Sequence, residues 1–373
     1  MKILHICNDY FGSKVHRNLY EQLDKLGVEQ TIYTYFRDQE LVNKNRFSAS
    51  HTNFEYRRIL KLYHRGLYHL KVRKVYHDLL ERIDVQSYDL VHAVTLFSDG
   101  GVAYRIYKKM GIPYVVAVRN TDINTFLSMA PHTWSMGIQI LRNACKIVFI
   151  SRGLMEKFSR HRLIRYLLPE IEHKFVLQPN GVDDYWLEHI QDGEKNQSQC
   201  IIYIGRFDHN KNVVRLIKAV LELQLQRPAI RLHLVGGGGD KEKNVLNLVQ
   251  RHPDVLRYHG KVYDKDMLRQ LYGQCSIFAM PSIHETFGLV YIEALTQNLA
   301  LLYTRNQGID GLLDQRVGEK VNPYSKREIK EALVRLLDNR QAYMAHEVVD
   351  FSLFRWIGIA KSYLNIYKNI IHI

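Results

Sequence analysis

Two glutamates and two cations carry the most pointed chemistry in this chain. Glu285 and Glu293 stand eight residues apart in PSIHETFGLVYIEAL (281–295), across a Phe287-Gly288 joint that reads as a strand–loop–helix junction. On one continuous helix that offset would span about 12 Å, beyond the roughly 5–9.5 Å separation of a hydrolytic carboxylate pair. The spacing suits two ends of one long ligand. Gly288 is expected to mark the helix start, so Phe287, Gly288 and Leu289 would present free backbone N–H groups to an anion. Far upstream, IIYIGRFDHNKN (201–212) puts Arg206 behind Gly205 at a strand end and Lys211 at the next helix start. Two fixed cations there would stabilise a diphosphate that gains charge as it departs. Together the four side chains describe a site for a ligand with a charged middle and hydroxyl-rich ends, and a nucleotide-sugar is such a ligand. Singly, each has a plainer reading as a solvated surface charge in a basic chain.

Weaker signals surround them. LVGGGGDKEK (234–243) follows a strand-like run, yet it is not G-x-G-x-x-G. As a dinucleotide fingerprint for a nicotinamide dehydrogenase it is poor. Gly12, in NDYFGSKVHRN (8–18), would let backbone N–H groups reach a phosphate, or simply make a turn. His92 and Arg119 end two strand-like runs of the first half and are expected to face a cleft; a lone histidine there is more often structural. Asp122 would hold Arg119 or cap the helix that follows.

These residues need a frame, and the chain supplies one. Strand-like runs KILHIC (2–7), QTIYTYF (30–36), YDLVHAV (88–94), PYVVAV (113–118) and KIVFI (146–150) alternate with helical patterns such as SKVHRNLYEQLDKLG (13–27), which Gly27 would close. A turn-rich, polar stretch at 176–199 interrupts the series. A second series follows: CIIYIG (200–205), IRLHLVG (230–236), VLRYHG (255–260), SIFAMP (276–281) and ALLYT (300–304). Strands alternating with helices predict parallel sheets covered on both faces, with ligands at the carboxyl ends of the strands. The expected division is residues 1–190, residues 191–350, and a helix at 351–373 that packs back on the first domain. In that helix Trp356, Ala360, Tyr363, Leu364 and Tyr367 lie along one stripe.

Composition narrows the class. The 373 residues exceed one ordinary core, and 46% hydrophobic with 24% charged content is that of a globular protein. No apolar run approaches the ~18 residues of a membrane span, and MKILHICNDY reads as a buried strand, so a cytoplasmic location is expected. Cys7, Cys145, Cys200 and Cys275 stand apart without a C-x-x-C pair, which favours buried thiols over zinc or disulfides; no metal is expected. The net charge of +14 concentrates in residues 54–82. There Leu60, Tyr63, Leu67 and Leu70 recur at helical spacing among arginines and lysines, which reads as one long helix. It is either an ordinary helix with a solvated basic face or a surface for anionic lipid at the inner face of the cell membrane. No nucleic-acid-binding pattern appears.

The combination of Glu285 through Glu293, Gly205-Arg206 with Lys211, Asn180-Gly181-Val182-Asp183, and HGKVYDKDMLRQLYGQCSIFAMPS (259–282) resembles the retaining glycosyltransferases of family 4 over most of the chain. The resemblance implies the GT-B fold, two Rossmann-like domains facing a central cleft. It implies that Arg206 and Lys211 bind the donor diphosphate, Glu285 the transferred sugar and Glu293 the ribose. Backbone around Lys261 and Val262 would meet the base, and Gly12 would approach the diphosphate from the other domain. Retention of configuration without a required metal is implied as well. Many members carry a histidine where Arg119 stands. Arg119 has no neutral form at pH 7, so it would bind an anionic acceptor or steady the diphosphate, with His92 only a partial stand-in.

The expected activity is transfer of a sugar, from UDP in the first instance, to a hydroxyl of a cell-envelope polysaccharide or glycolipid. The acceptor is a saccharide or lipid-linked saccharide. The nucleotide-sugar is a substrate, so no cofactor is expected. The alternatives are a sugar-nucleotide epimerase on the same architecture and a non-catalytic subunit of a membrane glycosylation complex.

Overall fold

The computed structural model describes residues 1–12, 14–192, 198–313, 316–343 and 348–371. The polar run expected to link the domains includes residues 193–197, which lie outside the described residues. The chain divides into two compact units, Met1–Gly181 with Trp356–Ile373, and Val182–Arg355.

The first unit is built on β1 (Lys2–Ile6), β2 (Glu29–Phe36), β3 (Thr52–Arg58), β4 (Leu90–Ala93), β5 (Tyr114–Ala117), β6 (Lys146–Phe149) and β7 (Phe175–Leu177). They lie in the order β3-β2-β1-β4-β5-β6-β7, and every neighbouring pair is parallel. The inner strands are buried along nearly their whole length, which is why they read as apolar runs rather than alternating ones. The helix Val15–Lys25 follows β1, and Gly27 after it takes φ +75 with its N–H on the Asp24 carbonyl. The C-terminal helix Trp356–Ile371 belongs to this unit. Its Trp356, Ile359, Ala360, Tyr363 and Tyr367 share one core with Ile3, Cys7, Tyr20 and Val94.

The expected helix over 54–82 is not one element. Residues Thr52–Arg58 form the edge strand β3, Leu62–Arg65 a single 3-10 turn, and only Tyr68–Arg82 is α-helical. Phe54 and Tyr56 fall on the same face of β3 and pack against Phe47 and Phe36, so aromatic packing overrides the helical spacing of the leucines. The buried stripe of the helix is Tyr68, Val72, Val75, Tyr76 and Leu79, whereas Leu67 and Leu70 face solvent.

The second unit holds β8 (Cys200–Gly205), β9 (Arg231–Gly236), β10 (Leu256–Tyr258), β11 (Ile277–Ala279), β12 (Ala300–Thr304) and β13 (Gly318–Val321) in the order β10-β9-β8-β11-β12-β13, again all parallel. The division falls at Gly181 rather than at 190 because the segment after it is tied into this unit. The Val182 N–H donates to the Phe354 carbonyl, Asp183 pairs with Lys265, and Tyr185 donates to Asp266 at 2.5 Å.

Candidate active site

In the second unit the strand order turns between β8 and β11, and the loops that leave these two strands are stitched together. The Ile283 N–H donates to the Asn210 carbonyl at 2.7 Å, while the Asn210 amide gives to the His284 carbonyl at 2.9 Å and takes from the His284 N–H at 3.0 Å. Asn212 sits in the left-handed region at φ 58, where its amide donates to the carbonyls of Pro281 and Pro323. Asparagine tolerates that conformation better than most residues. On this scaffold the Lys211 ammonium lies 2.7 Å from Glu285 Oε2, with the two side chains 25% and 11% exposed.

Glu285 is held from behind as well. Its N–H donates to the Gln307 side chain at 2.7 Å, and Gln307 in turn donates to the Ile283 carbonyl. The Gly308 N–H donates to the Glu285 carbonyl, and a Cβ on Gly308 would lie 2.8 Å from Glu285 Cγ. Only glycine leaves that room at φ +56. The helix Leu289–Thr296 starts behind Gly288, itself at φ +75. The N–H groups of Phe287, Gly288 and Leu289 find no acceptor among the described residues. They leave a helix N-terminus open toward an anion.

Glu293 sits on this helix, partly covered. Burial pushes its carboxyl up to about 7, the nearby Asp183 adds to the shift and Lys265 opposes it. Arg206 is not brought to the glutamates. Its side chain is 72% exposed, and its nearest carboxylate is Asp208 at 3.6 Å. The glycine run joins the same strand ends: the Phe207 N–H donates to the Gly238 carbonyl, and the Gly236 N–H to that of Gly260. A Cβ on Gly236 would lie 1.9 Å from the Gly205 carbonyl oxygen, so these glycines permit close strand packing. Lys261, exposed, and Val262, half-buried, follow β10 directly, with the Lys261 ammonium over Gly238.

In the first unit Arg119 and Asp122 line a pocket of about 200 Å³ with Asn8, Asp9, Thr95 and Ser98. Arg119 Nε donates to the Val94 carbonyl, and the Asp122 carboxylate accepts the N–H groups of Leu96, Phe97 and Arg119. Burial still raises Asp122 to about 6. Gly12 turns back on Asp9, its N–H on the Asp9 carbonyl at 3.1 Å. His92 is not in this pocket. It is buried beneath the C-terminal helix, its Nδ1 2.7 Å from the Tyr367 hydroxyl and its ring against His5 and Tyr363. Burial, with Arg119 adding to it, lowers its pKa to about 3, which keeps the ring neutral.

Several residues of these sites carry no sequence signature. The Gln307 side chain and the Gly308 N–H hold the Glu285 backbone, and Asn210 holds the Ile283-His284 backbone just before it. Lys71, which the basic run suggested was solvated, is half-buried, donates to Ser98 at 2.9 Å, and lines a second pocket of about 390 Å³ with Asn8, Tyr35 and His64. Its neighbour Val72 is fully within the core, and that adjacency was the available clue.

Comparison with known proteins agrees with this architecture. Residues 12–185 match the model of Glycosyltransferase Family 4, and residues 184–348 that of Glycosyl transferases group 1. An uncharacterized glycosyltransferase of Methanocaldococcus jannaschii is 24% identical over 312 residues, 77% of this chain and 76% of that protein. The chain spans only 19% of the length of a sucrose-phosphate synthase of Arabidopsis thaliana that it also matches. Among solved structures, sucrose-phosphate synthase from Thermosynechococcus elongatus superposes with a TM-score of 0.73 at 19% identity, covering 100% of this chain and 99% of that one. Anabaena HepE in complex with UDP gives 0.71 at 17% identity, covering 99% and 100%. Fold and family models together define a glycosyltransferase of GT-B type. The chain belongs to glycosyltransferase family 4, the group 1 glycosyl transferases. Among the described residues no helix is long and apolar enough to cross a membrane.

Proposed function

We propose that this enzyme transfers a hexosyl group from a UDP-sugar to a hydroxyl of a cell-envelope polysaccharide or glycolipid, with retention of configuration. The observation that carries the reading is the Lys211–Glu285 pair beside the open helix N-terminus at Gly288. A diphosphate entering there meets the Lys211 ammonium and unpaired N–H groups, while Glu285 faces the sugar hydroxyls and Glu293 the ribose. Arg206, exposed and loosely paired, is free to swing onto the phosphates. The acceptor hydroxyl attacks from the face the diphosphate is leaving, and a donor phosphate oxygen takes its proton. HepE, a fold neighbour, binds UDP, which supports uridine as the base. Arg119 in the first-unit pocket is the acceptor-side cation of this reading.

Lys211→Ala and Glu285→Ala are each expected to lower sugar transfer by at least about 100-fold, with circular dichroism near that of the unaltered protein. Near-normal transfer in both variants would remove this site from the reaction. A further part of the proposal is a peripheral seat on anionic membrane, carried by the exposed Leu62, Tyr63, Leu67 and Leu70 among exposed Lys61, Arg65, Arg73 and Lys74.

A further inference from the structure

The second unit contains a cluster of thiols and imidazole that the transfer site does not use. Cys200 opens β8, Cys275 stands just before β11, and His233 lies within β9. In this parallel sheet the two cysteines therefore sit at the amino ends of their strands, whereas Lys211 and Glu285 follow the carboxyl ends. All three residues are buried, and one donor atom from each lies within 4.8 Å of the others. The two sulfur atoms are 2.8 Å apart. His233 Nδ1 is buried with no hydrogen-bond partner, and so is Nε2 of His259, whose ring centroid is 4.8 Å from that of His233.

We propose that Cys200, Cys275 and His233 bind a structural Zn²⁺ that ties the starts of β8 and β11 to β9. Thiolate sulfur and imidazole nitrogen are the donors zinc prefers, and three strands deliver them to one point. On ligation each thiol gives up its proton, so two thiolates and one dication sum to zero formal charge. A buried site tolerates that balance, whereas two unpaired thiolates would be excluded. At a Zn–S distance of about 2.3 Å and a tetrahedral angle the sulfurs would stand roughly 3.7 Å apart. The pair must therefore open by about 1 Å, a shift within reach of side-chain rotation. A fourth ligand would come from outside these three; His259, its ring centroid 4.8 Å from that of His233, would have to move to supply it. A Cys200–Cys275 disulfide would instead need the sulfurs to close to about 2.05 Å and two electrons to go to an oxidant, and it would leave His233 Nδ1 unpaired. Zinc uses all three donors.

The test is metal content and cobalt spectroscopy on the full chain, purified under reducing conditions. One zinc per chain is expected by elemental mass spectrometry. Exchange for Co²⁺ should give a thiolate-to-cobalt charge-transfer band. Cys200→Ser and His233→Ala should each weaken zinc binding at least about 10-fold in competition with a chromogenic chelator, while Cys145→Ser should not. If either variant fails to fold, the cobalt spectrum of the unaltered chain decides alone. A reduced chain that takes up neither zinc nor cobalt overturns the proposal. So does a chain two hydrogens light in mass that still binds no metal once reduced.

Discussion

Glu293 is a carboxyl poised at neutral pH, and this has a consequence for stability as well as binding. Burial raises it from 4.5 to about 7. Between those two values the folded protein holds a proton that the unfolded chain has released. Its contribution to stability is therefore whole below about pH 4.5 and is lost as pH rises through about 7. Glu293→Gln keeps the shape and the hydrogen-bonding oxygen but never ionises. The variant should gain roughly 1–3 kcal/mol over the unaltered protein at pH 8.5, and little at about pH 4. Urea melts at the two pH values measure this. An equal difference at both would mean that Glu293 is not the titrating group. Asp122, raised to about 6 in the first unit, acts in the same direction, so only the difference between variant and parent isolates Glu293. The same substitution should weaken UDP binding if the ionised carboxylate grips the ribose.

At the scale of elements, the segment from Lys61 to Lys74 sets an unusual face toward solvent. Leu62 is 70% exposed and Tyr63 and Leu67 each 51%, with four exposed cations interleaved. A basic face with apolar tips of this kind suits the interface of an anionic bilayer, where each cation contributes about 1 kcal/mol. The chain should cosediment with vesicles containing phosphatidylserine and not with pure phosphatidylcholine. Arg73→Glu with Lys74→Glu should weaken that binding at least roughly 30-fold. Indifference to vesicle charge would sink the idea. This face was visible in the sequence as charge, but its architecture was not. Helical spacing of the leucines masked β3, where Phe54 and Tyr56 alternate with polar residues and only tertiary packing chooses the strand. β7 and β13 escaped notice because three or four residues are too short to show a period. The long buried strands and the Gly288 helix start were legible, since continuous apolar runs and glycine at a positive φ each leave a local mark. What joins Lys211 to Glu285, by contrast, is Asn210 and Gln307, ordinary loop residues whose partners lie many positions away. Likewise Cys200 and Cys275 look solitary until β8 and β11 are laid side by side.

The whole molecule is two units of unequal continuity, and that asymmetry is testable. The second unit is one unbroken stretch, Val182–Arg355, whereas the first needs Trp356–Ile373 from the far end of the chain. The burial of Trp356, Ile359, Tyr363 and Tyr367 is worth on the order of 1.5–3 kcal/mol per side chain before entropy is counted. Their sum rivals the ~5–15 kcal/mol net stability of a whole domain. Without the helix, His92 Nδ1 also loses its Tyr367 partner, on a face of the sheet that would then be open to water. A fragment 182–355 should melt cooperatively by itself and be stabilised by UDP, because Lys211, Glu285, Gly288 and Glu293 all lie within it. A fragment 1–181 should show no cooperative melt until residues 356–373 are joined to it or added as a peptide. Calorimetry on the three preparations measures the outcome. Should 1–181 alone melt as sharply, and at the same temperature, as it does with the helix restored, the last helix is decoration on a finished core, and the first unit's stability must be sought in the sheet alone.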